Sequence, residues 1–185
     1  MANSDNNVFT LYKSFPNGGS VHLMSGLDKS SPDYDDLLSI ACLFAKEGKA
    51  AKVLSPIHYK DPKYHEVFGS LIGTMYYRKC PDLLIDGIFY EYESCEPPFE
   101  TGKLERMIAR GSKQACDIVI DVREMSVTNK RINGKIQRLR EQKSFEGTIN
   151  SVWIYDGAKV DLVYKTSRGA SPSTSAEKSL RLANP

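Results

Sequence analysis

Pro81-Asp82-Leu83-Leu84-Ile85-Asp86-Gly87-Ile88-Phe89-Tyr90-Glu91-Tyr92-Glu93 reads as two short apolar strands joined at Asp86-Gly87. A two-residue Asp-Gly connection favours positive φ at both central positions, the geometry of a tight hairpin. Counting outward pairs Ile85 with Ile88, Leu84 with Phe89, Leu83 with Tyr90 and Asp82 with Glu91. Side chains alternate across a strand, which places Asp82, Glu91 and Glu93 on one side. Facing carboxylates repel and weaken a hairpin. Residues 81–100 hold six acids and no Lys or Arg to offset them. A divalent cation resolves the conflict, because hard cations gather several carboxylate oxygens. The hairpin is read as half of a metal site, with Asp86 as a further candidate ligand beside its simpler role as a turn former.

The 185-residue chain is ordinary for a soluble globular protein, 41% hydrophobic and 26% charged with a net charge of +2. It suffices for one domain with a real core. No apolar run is long enough for a transmembrane helix and no secretory signal opens the chain, so a cytoplasmic location and no membrane partner are expected. Cys42, Cys80, Cys95 and Cys116 lack metal-ligand spacing and are read as reduced thiols, with no zinc expected. Residues 1–7 are polar and expected to be disordered, 8–165 form the domain, and 166–185 are read as a flexible tail.

Within the domain, 8–12 and 20–24 are predicted as an N-terminal strand pair. Ser31-Pro32-Asp33 is read as a helix start with Ser31 as N-cap, and Gly48 as its stop. A strand at 51–54 follows, then a helix over about 63–75 burying Val67, Phe68, Leu71, Ile72 and Met75. Beyond the acidic hairpin, which ends by Pro97-Pro98, come a helix over 101–114, an interior strand over 117–122, a helix over 127–143 and a final hairpin at 151–155 and 160–164. This order describes an α/β domain with helices packed on one central mixed sheet.

Charge is uneven. Residues 127–143 carry six basic side chains, among them Lys130, Arg131, Lys135 and Arg138, against the single acid Glu141. Lys103, Arg106, Arg110 and Lys113 lie on the preceding helix. Basic helices beside an acidic cluster suit a protein that holds a metal and a polyanion together, with nucleic acid as the polyanion. The plainer reading of such a run is a solvated helix face. His58 and His65 are a minor candidate for a metal-free acid/base pair.

Pro81-Asp82, eight intervening residues and Glu91-Tyr92-Glu93 resemble the PD-(D/E)XK nuclease signature, with Glu93 where the family has its lysine. The run from Lys79 to Glu91, followed by Gly111-Ser112-Lys113-Gln114 and Asp117-Ile118-Val119-Ile120-Asp121, is similar to a narrower branch. That branch comprises the C-terminal transfer-RNA nuclease domains of contact-dependent growth-inhibition toxins and their relatives on phage and mobile elements. The resemblance implies a restriction-endonuclease-like core and metal-assisted phosphodiester hydrolysis in RNA or DNA. It implies Asp82 and Glu91 as ligands for Mg²⁺ or Mn²⁺, and an inhibitor or immunity protein as partner.

Glu93 cannot supply the cation of the motif lysine. Lys113 is the candidate replacement, with Gln114 as its polar neighbour. Relatives often add a glutamate from helix one; that position here is Ser39, with Asp35 and Asp36 about a turn earlier. Two functions follow: a metal-dependent nuclease, or a nuclease-derived fold that has lost catalysis and serves as a binding or regulatory module.

Overall fold

A computed structural model describes residues 8–94, 101–125, 127–143 and 145–166. The expected N-terminal disorder, the tail from 167 onward, Cys95 and the end of the hairpin at Pro97-Pro98 lie outside the described residues.

Eight strands form one mixed sheet in chain order. They are β1 (Phe9–Ser14), β2 (Ser20–Met24), β3 (Ala50–Val53), β4 (Leu83–Ile85), β5 (Ile88–Glu93), β6 (Asp117–Asp121), β7 (Ser151–Tyr155) and β8 (Val160–Lys165). The helices are α1 (Tyr34–Lys46), α2 (Pro62–Phe68), α3 (Thr101–Gly111) and α4 (Asn129–Glu141). Three pairs are parallel, β2/β3, β5/β6 and β6/β7, and α1, α3 and α4 respectively make their crossovers. The other neighbours are antiparallel. This is the expected α/β architecture, a central mixed sheet flanked by helices and extended by an N-terminal strand pair.

Strand alternation divides the core. Val21, Ala51, Val53, Leu83, Ile85, Tyr90, Tyr92 and Val119 pack with α1 on one face. Ile118, Ile120 and Val152 face α3 and α4 on the other. Leu84 and Phe89, one residue out of phase with Leu83 and Tyr90, pack against the cluster under α2. Glu91 and Glu93 share that second face, because they alternate with Tyr90 and Tyr92.

The central hairpin has the predicted register: Ile85 opposite Ile88, Leu84 opposite Phe89 and Leu83 opposite Tyr90. Asp86 and Gly87 take φ of 48° and 81°. Helix boundaries differ more. The N-cap of α1 is Asp33, not Ser31, and Ser31 instead accepts from Tyr34 N in a turn before the helix. The helix expected over 63–75 ends at Phe68 and passes through a 3-10 turn, Gly69–Leu71. Ile72 and Met75, expected on its buried face, are 46% and 52% exposed. The apolar period ran past the point where the chain must turn back toward Asp82.

Parallel strands bring their carboxyl ends to one edge, where ligand sites of open α/β sheets form. Here the ends of β5 and β6 meet the start of β4 and the N-terminus of α1. Asp33, Asp82, Glu93 and Asp121 stand at that edge.

Candidate functional site

Asp82 precedes β4, where the ladder to β5 has ended. Its backbone carbonyl accepts from Leu54 N (2.9 Å), fixing it against the strand next door. Its carboxylate Oδ2 accepts from Tyr92 N, also at 2.9 Å. The side chain thus continues the β4–β5 pairing that the backbone has left. Glu91 Oε2 is buried and has no hydrogen-bond partner among the described residues. A buried oxygen left this way is destabilising unless it holds a proton or a cation. Burial pushes both carboxyls up. At Glu91 the charges of Asp82 and Glu93 add to it, against the pull of Arg110 and Lys79. At Asp82 the Tyr92 N–H opposes burial, while Asp33 and Glu93 reinforce it.

Glu93, in the motif-lysine position, is 1% exposed and bound to Arg110 of α3. Arg110 Nε donates to Oε2 at 2.5 Å, and Nη2 pairs with the same oxygen. Burial pushes Glu93 up even so. Gly111 makes the approach possible: a Cβ there would stand 2.9 Å from Ile118 Cγ2 and 3.0 Å from Glu93 Cγ. The Arg110 side chain remains 66% exposed, so one face of the guanidinium is open. Arg110 of α3 therefore sets a positive charge beside Glu93, the residue that the resemblance aligns with a lysine.

Asp33 is the acid that the sequence reading left as a helix-start residue. It makes no side-chain capping bond, and Ser94 Oγ donates to its carboxylate at 3.5 Å. Its charge reaches Asp82, Glu93 and Arg110. Asp36, the α1 acid considered for that part, is engaged elsewhere. It accepts from Tyr92 Oη (2.9 Å) and Arg123 Nη2 (2.5 Å), and Tyr92 Oη also reaches Asp121 Oδ2 (3.1 Å). Burial alone would raise Asp121, but its bonds to Arg123 outweigh that and hold it low. Tyr92 thereby ties two networks: its ring hydroxyl is clamped on the α1 face while its N–H holds Asp82.

The other predicted residues fall farther from the acids. Asp86 is exposed at the turn, where Oδ1 accepts from Ala50 N at 2.8 Å, at the opposite end of β4 from Asp82. Lys113 is exposed in the turn after α3 and Gln114 is half-buried. Among the described residues neither side chain bonds to Asp82, Glu91 or Glu93. On α4, Lys135 Nζ pairs with Glu105 at 2.9 Å and Arg138 Nη1 with the same oxygen at 3.7 Å. Lys130 and Arg131 are exposed. Glu105 lies five residues before Arg110, about 7.5 Å back along the helix. The α4 charges thus form a patch separate from the acid pair. His58 Nδ1 accepts from Lys60 N at 3.3 Å and His65 is exposed.

As a metal site the donor set is hard oxygen, with Asp82, Glu91 and the orphaned Oε2 at its centre. Among the described residues no three His, Cys, Asp or Glu side chains gather around one point. A magnesium-type ion fits such a pair, since it commonly takes one or two carboxylates and completes its shell with water and substrate phosphate.

Residues 79–160 match the family model described as the contact-dependent growth inhibition CdiA C-terminal domain. The match takes in Asp82, the hairpin, α3, β6, α4 and β7, somewhat less than half of the chain. It supports the likeness to growth-inhibition toxins read from the sequence. Comparison with curated proteins and with solved structures finds no match. No helix among the described residues is long and apolar enough to cross a membrane.

Proposed function

We propose that the protein is a divalent-metal-dependent nuclease of the growth-inhibition toxin type, acting on RNA or DNA and restrained by an inhibitor protein. The observation that carries this reading is the half-buried pair Asp82–Glu91, whose Glu91 Oε2 is buried and unpartnered among the described residues, at the carboxyl edge of the sheet and inside the matched residues. Asp82 and Glu91 hold Mg²⁺ or Mn²⁺, which supplies a polarised phosphate and an acidified water. Tyr92 N–H orients Asp82 toward that task. Arg110 takes the electrostatic part of the missing lysine: its exposed guanidinium faces developing phosphate charge while Glu93 fixes its position. A guanidinium stays protonated, so Arg110 stabilises charge and does not relay a proton. Lys79, whose charge also reaches Glu91, is a second phosphate contact. Asp86, Lys113 and Gln114 have no part in this arrangement, and the α4 patch at Lys130, Arg131, Lys135 and Arg138 contributes at most remote backbone contacts.

The buried acid at the motif-lysine position equally favours a second reading, a binding module on a retired nuclease fold. Purified protein incubated with transfer RNA, single-stranded RNA and DNA separates the two. Cleavage with Mg²⁺ or Mn²⁺, abolished by EDTA and by Glu91→Gln, and lowered about 10²–10³-fold by Arg110→Ala, is expected for the nuclease. Nucleic-acid binding without metal-dependent cleavage would establish the binding module instead.

A further inference from the structure

Between α2 and Asp82 the chain builds a second feature that the acid pair does not use. Among the described non-glycine residues only Asp86 and Arg78 have positive φ. The hairpin turn accounts for Asp86. Arg78, at φ 70°, is the third residue of the Tyr76–Lys79 turn, which Lys79 N closes by donating to the Tyr76 carbonyl at 3.0 Å. Its N–H donates to Tyr64 Oη (2.8 Å), and that buried hydroxyl donates on to the Lys79 carbonyl (3.0 Å).

The turn presents a stack. The Arg78 guanidinium lies 4.4 Å from the Tyr59 ring centroid and 5.4 Å from that of Tyr77. The His58 ring lies 4.7 Å from Tyr59 on a tilt of 34°. His58 and Arg78 are exposed, and the two tyrosines are half-buried beneath them. Among the described residues Arg78 and Lys60 have no carboxylate partner. Here a planar cation lies over two rings and stays exposed to solvent.

The stack stands beside the acids. Cys80 Sγ donates to the Ile57 carbonyl at 3.2 Å, binding the Tyr59 loop to the strand that enters Asp82. Arg78 is four residues before Asp82, at most about 14 Å of chain. Lys79 between them reaches Glu91 electrostatically. His58, Tyr59 and Arg78 fall outside residues 79–160, so the family match says nothing of them.

We infer that His58, Tyr59 and Arg78 form a stacking platform for an unpaired base of single-stranded nucleic acid, whose neighbouring phosphate lies over Asp82 and Glu91. Aromatic rings and arginine planes take splayed bases of any sequence, and a base inside a duplex cannot reach them. The inference rests on the nuclease reading for the position of the phosphate, but binding tests it without cleavage.

The test is fluorescence anisotropy of labelled oligo-uridine, oligo-deoxythymidine and an RNA duplex of equal length, with the full chain in EDTA. Tyr59→Ala and Arg78→Gly should each weaken single-strand binding about 5- to 150-fold, and Tyr59→Phe should bind like wild type. Duplex binding should be weaker from the start and unmoved by these changes. The ribose and deoxyribose strands show whether the 2′-hydroxyl adds to the stack. Glycine is at ease at positive φ, so Arg78→Gly keeps the fold while removing the cation. A single-strand affinity unchanged by Tyr59→Ala, an equal loss for duplex and single strand, or no binding at all would overturn the platform. Tyr59-dependent binding without cleavage by wild type with Mn²⁺ would instead sustain it and defeat the nuclease reading.

Discussion

Glu91 holds a proton more tightly in the folded chain than in the unfolded one, because burial raises it and Asp82 and Glu93 repel its charge. Above about pH 4.3 the unfolded carboxyl ionises while the folded one stays protonated, so the native state binds more protons. Stability contributed by this group is present below that value and falls as pH climbs toward the raised folded pKa. Glu91→Gln removes the liability. In EDTA at pH 8 it should melt above wild type by about 2–4 °C per kcal/mol gained, with the two converging near pH 4; thermal denaturation at both values checks this. Glu93 and Arg110 make a second case. Glu93→Lys sets a second cation against Arg110 and should cost about 1–3 kcal/mol, discounted from a fully buried pair because Arg110 reaches water. Adding Arg110→Glu should recover most of that loss in a denaturant-melt double-mutant cycle. The exchange also bears on what was legible. A buried glutamate in a lysine position signals that a cation must come from elsewhere. Which of Lys103, Arg106, Arg110 and Lys113 supplies it depends on how α3 lies on the sheet, and that is not written locally. The glycine after Arg110 was the one available hint. Asp33 was hidden in the same way, since its role turns on a carboxylate that does not cap its own helix.

Elements were read best where two local signals agreed. The hairpin had strand alternation and an obligate turn, which together leave one register. At α2 the apolar period continued through Ile72 and Met75, and only the return of the chain toward Asp82 overrode it. The contact of α3 with β5 makes a prediction at this scale. Gly111→Ala improves helix propensity by up to about 1 kcal/mol, yet its Cβ would press on Ile118 and Glu93. The expected net result is destabilisation of about 1–3 kcal/mol, because overpacking against a β-branched core residue outweighs propensity. A lower urea midpoint at unchanged slope would agree with it, and a gain in stability would show that α3 can lift without cost.

Across the whole molecule, the sheet places acids from α1, β5, β6 and the residue before β4 at one edge and divides them into two groups. Asp36 and Asp121 share Arg123 as their cation and hold Tyr92 in place. Asp82 and Glu91 are left without such a partner, and Tyr92 N–H keeps Asp82 aimed beside Glu91. On the proposed reading the open group takes a metal ion that only the folded state binds. Manganese should therefore raise the melting temperature of wild type by mass action and leave Glu91→Gln unmoved. The most direct measurement is an anomalous difference map from a manganese-soaked crystal. The account predicts a peak in contact with Asp82 and Glu91, with Glu93 still bound to Arg110. No peak at that pair, with its carboxyl groups protonated and packed against each other, would contradict it.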